Sequence, residues 1–112
     1  MKTTITTSLP PAVAGYVAAA NRFDAAAAAS HFTADATVHD ENHDHVGRGA
    51  IRAWIAETNR KYRPMFTVMR SAVNGEAVSL AVAVCGQFPG SPVTLDYEFQ
   101  LRDDKISTLH IT

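Results

Sequence analysis

The stretch Phe32-Thr33-Ala34-Asp35-Ala36-Thr37-Val38-His39-Asp40, with Gly49-Ala50-Ile51-Arg52-Ala53-Trp54 shortly after it, decides how this chain is read. Phe32 to Asp35 turns into a short strand running from Ala36 to about Asp40. A period of two puts Ala36, Val38 and Asp40 on one face and Thr37 and His39 on the other, so an apolar strand face ends in a carboxylate. The polar run Glu41 to Gly49 reads as a loop. It leads into a helix whose buried stripe is expected at Ile51, Trp54, Ile55, Thr58 and Tyr62 until Pro64 stops it.

Upstream, the Ser8 hydroxyl before Pro10-Pro11 marks a helix start, and Val13, Tyr16, Val17 and Ala20 recur at helical spacing. Asp24 is a cap for a second, Ala-rich helix running to about His31. Downstream the period changes to that of strands: Met65 to Val73, the hairpin signal Asn74-Gly75, then Ala77 to Cys85 with Val78, Leu80, Val82 and Val84 on one face. Pro89-Gly90-Ser91-Pro92 turns into Val93 to Leu101, and Arg102-Asp103-Asp104-Lys105 turns into Ile106 to Ile111. Helices kept apart from a run of antiparallel strands argue for the α+β class and against a doubly wound parallel sheet. Three helices laid on one curved sheet leave a cavity between the layers, suited to a small molecule.

With 112 residues, the expectation is a single domain, 1–112. Hydrophobic residues make up 46% and charged ones 19%, a globular balance far from that of disordered chains. Ten basic and eleven acidic residues give a net charge of −1 with no long block of either sign. That excludes the electrostatic footprint of a nucleic-acid or membrane-surface binder. The single cysteine, Cys85, suits a reducing compartment, and no apolar run is long enough for a span or a leader. A cytoplasmic protein with no membrane and no nucleic-acid partner is expected.

Tyr16-Val17-Ala18-Ala19-Ala20-Asn21, Asp24, the stretch from Phe32 to Asp40, Gly47 and Gly49 to Trp54 together resemble the nuclear transport factor 2-like superfamily, in its SnoaL-like and ketosteroid-isomerase-like branches. The resemblance covers nearly the whole chain. It implies an α+β cone, with three N-terminal helices packed on a curved, mostly antiparallel sheet. The superfold hosts isomerases, cyclases, dehydratases, epoxide hydrolases and non-catalytic binders. Its ketosteroid-isomerase branch carries an oxyanion-donating tyrosine on the first helix and a general-base aspartate at the end of the first strand. The resemblance puts Tyr16 and Asp40 in those roles. A carboxylate can shuttle a proton from carbon beside a carbonyl, while a phenol steadies the enolate that develops. That branch also has a second donor, an aspartic acid on a late strand. Alternation here sets Tyr97, Phe99 and Leu101 on the corresponding face and Asp96, Glu98 and Gln100 on the other, so Tyr97 takes that place unless a bulge turns Asp96 inward.

The expected ligand wall is Phe32, Val38, Trp54, Ile55, Tyr97 and Phe99. His39 to His45 concentrates three histidines and three carboxylates, all competent metal ligands, but a loop does not preorganise a coordination shell. No metal and no cofactor are expected. Cys85 reads as a small buried hydrophobe, and His110 is placed with Ile106 and Thr108 on the outer sheet face, the surface of an expected homodimer. Two functions fit: an isomerase or cyclase acting on a small, largely apolar carbonyl compound, or a non-catalytic ligand-binding or assembly module.

Overall fold

The computed structural model describes residues 9–112. Its elements in chain order are α1 (Pro11–Asn21), α2 (Ala25–Ala29), β1 (Phe32–Asp40), β2 (His43–Val46), α3 (Arg48–Tyr62), β3 (Met65–Asn74), β4 (Ala77–Cys85), β5 (Val93–Arg102) and β6 (Lys105–Ile111). The six strands form one sheet in the order β2-β1-β6-β5-β4-β3. Every pairing is antiparallel except β1 with β6.

Proline opens α1, as its preset φ and missing N–H allow; Ser8, the expected cap, lies outside the described residues. The helix buries Ala12, Val13, Tyr16, Ala19 and Ala20. Asp24 caps α2 by accepting from the Ala27 N–H at 3.0 Å. That helix ends at Ala29, short of the expected His31, because the chain enters β1 at Phe32. β1 is therefore longer than its alternating part. Between Phe32 and Thr37 its register with β6 is broken, and beyond the break Ala36 and Val38 are fully buried.

The polar run expected as a loop is instead a hairpin. Asp40 pairs with His43, and the two residues between them, Glu41 and Asn42, both take left-handed conformations at φ 54° and 63°. A two-residue turn of that shape matches strand twist, but without a glycine its signal is faint in the sequence. A neighbouring turn also shifts by one position: Asn74 pairs with Ala77, so Gly75-Glu76 and not Asn74-Gly75 forms the β3–β4 connection, with Gly75 at φ 63°.

The inner sheet face carries Val78, Leu80, Val82 and Val84 from β4, Tyr97 and Phe99 from β5, and Ile106, Leu109 and Ile111 from β6. These pack under Val13 and Tyr16 of α1 and Ile51 and Ile55 of α3 in one core. Ile106 belongs to this core, not to the outer face. The β5–β6 register shifts between Gln100 and Leu101, which admits Ser107 as an extra residue and reverses the alternation. Thr108 and His110 then face outward as expected. Cys85 is exposed, since alternation that buries Val84 turns the next residue out.

Asn21, at the end of α1, ties the helix layer to edge strand β3. Its amide nitrogen donates to the Phe66 carbonyl at 2.9 Å and its oxygen accepts from the Phe66 N–H at 2.7 Å. Asn21→Ala leaves both backbone groups unpaired and is expected to cost about 1–3 kcal/mol, read as a lowered midpoint in urea unfolding.

Candidate active site

Between the helices and the sheet lies a cavity of about 740 Å³. Asp40 reaches it from the last position of β1, Tyr16 from the buried face of α1, and Tyr97 from the middle of β5. Trp54 and Ile55 form part of the α3 wall, and Glu41 and Asn42 of the β1–β2 turn stand on the exposed rim. Phe32, Val38 and Phe99, expected to touch ligand, sit one layer back. All three are buried in the core and do not line the cavity.

Phe32 and Phe99 pack against the tyrosine rings. The Tyr16 ring meets Phe32 edge-on at 5.4 Å and 89°, and Phe99 at 6.1 Å and 69°. Tyr97 lies 6.2 Å from Phe99 and 6.4 Å from Phe66. Such contacts fix ring orientation beyond what apolar burial alone would do. Tyr16 and Tyr97 are only 4% and 5% exposed. Asp96, by contrast, is exposed on the outer face, with no bulge to turn it in.

Electrostatics joins the three groups. Burial raises the Asp40 carboxyl above the usual carboxylate range, and the neighbouring Glu41 charge raises it further. A hydrogen bond from Trp54 and the charges of His45 and His39 work the other way. Tyr16 is pushed up by burial and then by Asp40, and Tyr97 by burial, by Tyr16 and by Asp40. All three residues line the one cavity. Both phenols stay protonated at neutral pH, and each can donate a hydrogen bond.

The histidines of the hairpin diverge. His39 stacks on His110 on the outer face at 4.5 Å and lies 2.6 Å from an Asp44 carboxylate oxygen, whereas His45 stacks on Trp54 at 5.4 Å. Among the described residues no three metal-ligating side chains converge. Tyr62, expected only as part of the buried α3 stripe, lines the cavity together with Phe88, and sequence reasoning missed Asn59, which lines it too. Asn59 falls four positions after Ile55 on the α3 stripe, and that spacing was the available signal.

An antiparallel sheet with one parallel β1–β6 pairing, a helical cover and a cavity closed by a first-strand carboxylate define the nuclear transport factor 2-like α+β fold. Within it the chain belongs to the SnoaL-like domain family, whose pattern matches residues 13–108. No functionally curated protein matches the sequence. Among solved structures, a candidate polyketide cyclase from Sinorhizobium meliloti is 34% identical, with a TM-score of 0.92 over 97% of this chain and 100% of that one. A protein of ketosteroid isomerase-like fold from Catenulispora acidiphila, solved with trimethylamine, is 21% identical, with a TM-score of 0.83 over 94% of this chain and 86% of that one. The epoxide hydrolase/cyclase-like enzyme SalBIII, which has a role in pyran ring formation in the polyether salinomycin, is 22% identical, with a TM-score of 0.78 over 89% of this chain and 85% of that one. The fold is thus of the cyclase and isomerase type. No helix among the described residues is long and apolar enough to cross a membrane.

Because the folded state holds the Asp40 proton more tightly than the unfolded chain does, stability falls as pH rises from the ordinary carboxylate value through the raised one. Trp54→Phe removes the hydrogen bond that restrains the shift, so the carboxyl is expected to titrate higher by NMR and the falling limb to extend to higher pH. Asp40→Asn should flatten that limb in urea melts taken across the acid range.

Proposed function

We propose that this protein is an acid–base enzyme of the isomerase or cyclase type, moving a proton beside the carbonyl of a small, largely apolar compound. The observation that carries this reading is a single cavity holding a carboxyl raised by burial beside two protonated phenols. Asp40 takes the proton from carbon next to the carbonyl, and the bonding pair moves onto the carbonyl oxygen. Tyr16 donates to that oxyanion, with Tyr97 as second donor in the place where the ketosteroid-isomerase branch has an aspartic acid. Where a carbon–carbon double bond stands next in the chain, the dienolate takes the proton back from Asp40 at the far carbon as that double bond shifts into conjugation, which is isomerisation; where a second carbonyl is in reach, the enolate carbon bonds to its carbon, that C=O π pair moves onto its oxygen, and the oxygen takes the proton from Asp40, which is cyclisation. Family membership and the likeness to cyclase-type structures support the reaction class.

A raised Asp40 suits the task, since a base is most useful when its pKa lies nearer the working pH. Turnover is expected to rise with pH through the Asp40 titration, because only the carboxylate accepts a proton.

The test needs no knowledge of the natural substrate. In heavy water the protein should exchange deuterium into the positions beside the carbonyl of 2-decalone, followed by proton NMR. Asp40→Asn is expected to slow exchange by about 10²–10⁴-fold, and Tyr16→Phe by about 10²–10³-fold. Both changes should leave the melting temperature of the unliganded protein near or above its original value. Binding of phenols or ketones without any exchange assigns the chain to ligand-binding modules of the same fold and removes the enzyme reading.

A further inference from the structure

The cavity is long, and its two ends are unlike. On α3, Trp54 bonds Asp40 through its indole, while Tyr62 meets the Phe88 ring edge-on at 5.8 Å and 83°. Eight positions of helix put those two contacts roughly 12 Å apart along its axis. The sheet wall follows the same course. Leu95 and Val93 continue the Tyr97 face of β5 away from Asp40, Val84 pairs with Val93, and Phe66 pairs with Val84. All four of these side chains are apolar. Opposite them the Thr58 hydroxyl is spent on its own helix, donating to the Trp54 and Ile55 carbonyls at 3.1 and 2.9 Å. A carbonyl held by Asp40, Tyr16 and Tyr97 therefore leaves the rest of its molecule to lie along an apolar strip.

The β4–β5 connection stands across the far end of that strip, and its backbone is pinned. The Gly86 N–H donates to the Ser91 Oγ at 2.9 Å, and the Gln87 N–H donates to the Tyr62 carbonyl at 2.7 Å. A Cβ on Gly86 would stand 2.7 Å from that carbonyl oxygen and 2.9 Å from the Phe88 ring, so the close approach needs glycine. The Phe88 ring is thus confined between Gly86 and Tyr62, half-buried and on the cavity wall.

We propose that Phe88 is a specificity-determining residue that sets the longest apolar tail a substrate carries beyond its reacting carbonyl. The substrate class narrows to an amphiphile, with the carbonyl at one end and an unbroken apolar tail that runs along α3 and stops against the Phe88 ring. This inference rests on the function proposed above and adds the tail and its limit to it. The bonds that hold the loop are made by main-chain atoms and Ser91, not by the Phe88 side chain. Removing the ring therefore opens space at that end while the loop keeps its place.

Calorimetric titration with 4-ethylphenol, 4-butylphenol, 4-hexylphenol and 4-octylphenol reads the limit, the phenol standing in for the enolate. Wild-type affinity is expected to rise about fourfold for each added methylene until the tail meets Phe88, then to level or fall. Phe88→Ala should move that break to the next longer compound and tighten the first one past the wild-type break about tenfold, with 4-ethylphenol unchanged. Phe88→Leu, which keeps an apolar side chain against Tyr62, should move the break the same way by less. A break at the same tail length in all three proteins overturns the proposal, as does wild-type affinity still climbing at 4-octylphenol. Weaker binding of the whole series in both variants marks Phe88 as structural and overturns it too. If 4-ethylphenol binds and Tyr16→Phe weakens it while neither Phe88 variant shifts the break, the role of Phe88 alone falls; if no compound binds the wild type, the functional reading falls with it.

Discussion

The edge-on contact of Tyr16 with Phe32 and Phe99 is the joint on which the structure turns. One ring from the helical layer is clasped by rings from two strands that are not neighbours in the sheet, β1 and β5. The contact sets the spacing between layers. It also spends the body of the tyrosine on packing and leaves its hydroxyl end to the cavity, so the geometry of the site is inherited from the core.

The carboxylate opposite it is held in a compromise. Complete burial would fix Asp40 in its neutral form, and full hydration would return it to an ordinary surface acid. The strand end gives partial burial. Trp54 then supplies a hydrogen bond from the helix, and its own ring is stacked on His45 of the hairpin. The β1–β2 hairpin thus bears on Asp40 indirectly, by placing the His45 ring on which the indole is stacked. His39, next to Asp40 in β1, points to the opposite side of the sheet, where it pairs with Asp44 and stacks on His110.

Much of this was legible in the residues. Alternation in β4 and β5 named the buried faces, including the choice of Tyr97 over Asp96, because regular strands of period two carry that information locally. The α+β class and the proximity of Tyr16 and Asp40 followed from element order and family resemblance. What escaped has a common physical cause, a break in local regularity. The Glu41-Asn42 turn lacks glycine and so hid a strand pair, and one extra residue at Ser107 reversed the facing of Ile106. Phe32, Val38 and Phe99 showed that an inward-facing residue need not reach the cavity, since depth behind a wall has no sequence period. Asn59 was passed over because its polarity argues against burial.

The parallel pairing of β1 with β6 has a bearing on how the site comes into being. Val38 and His39 lie beside Leu109 and His110, some seventy positions further along the chain. On the ribosome, the Asp40 strand is therefore made long before the strand that must flank it, and one backbone edge has to wait unpaired. The helices and the first hairpin can form early, but the chemical centre is completed only as the last strand docks. The cavity is in this way completed only with the closing of the sheet.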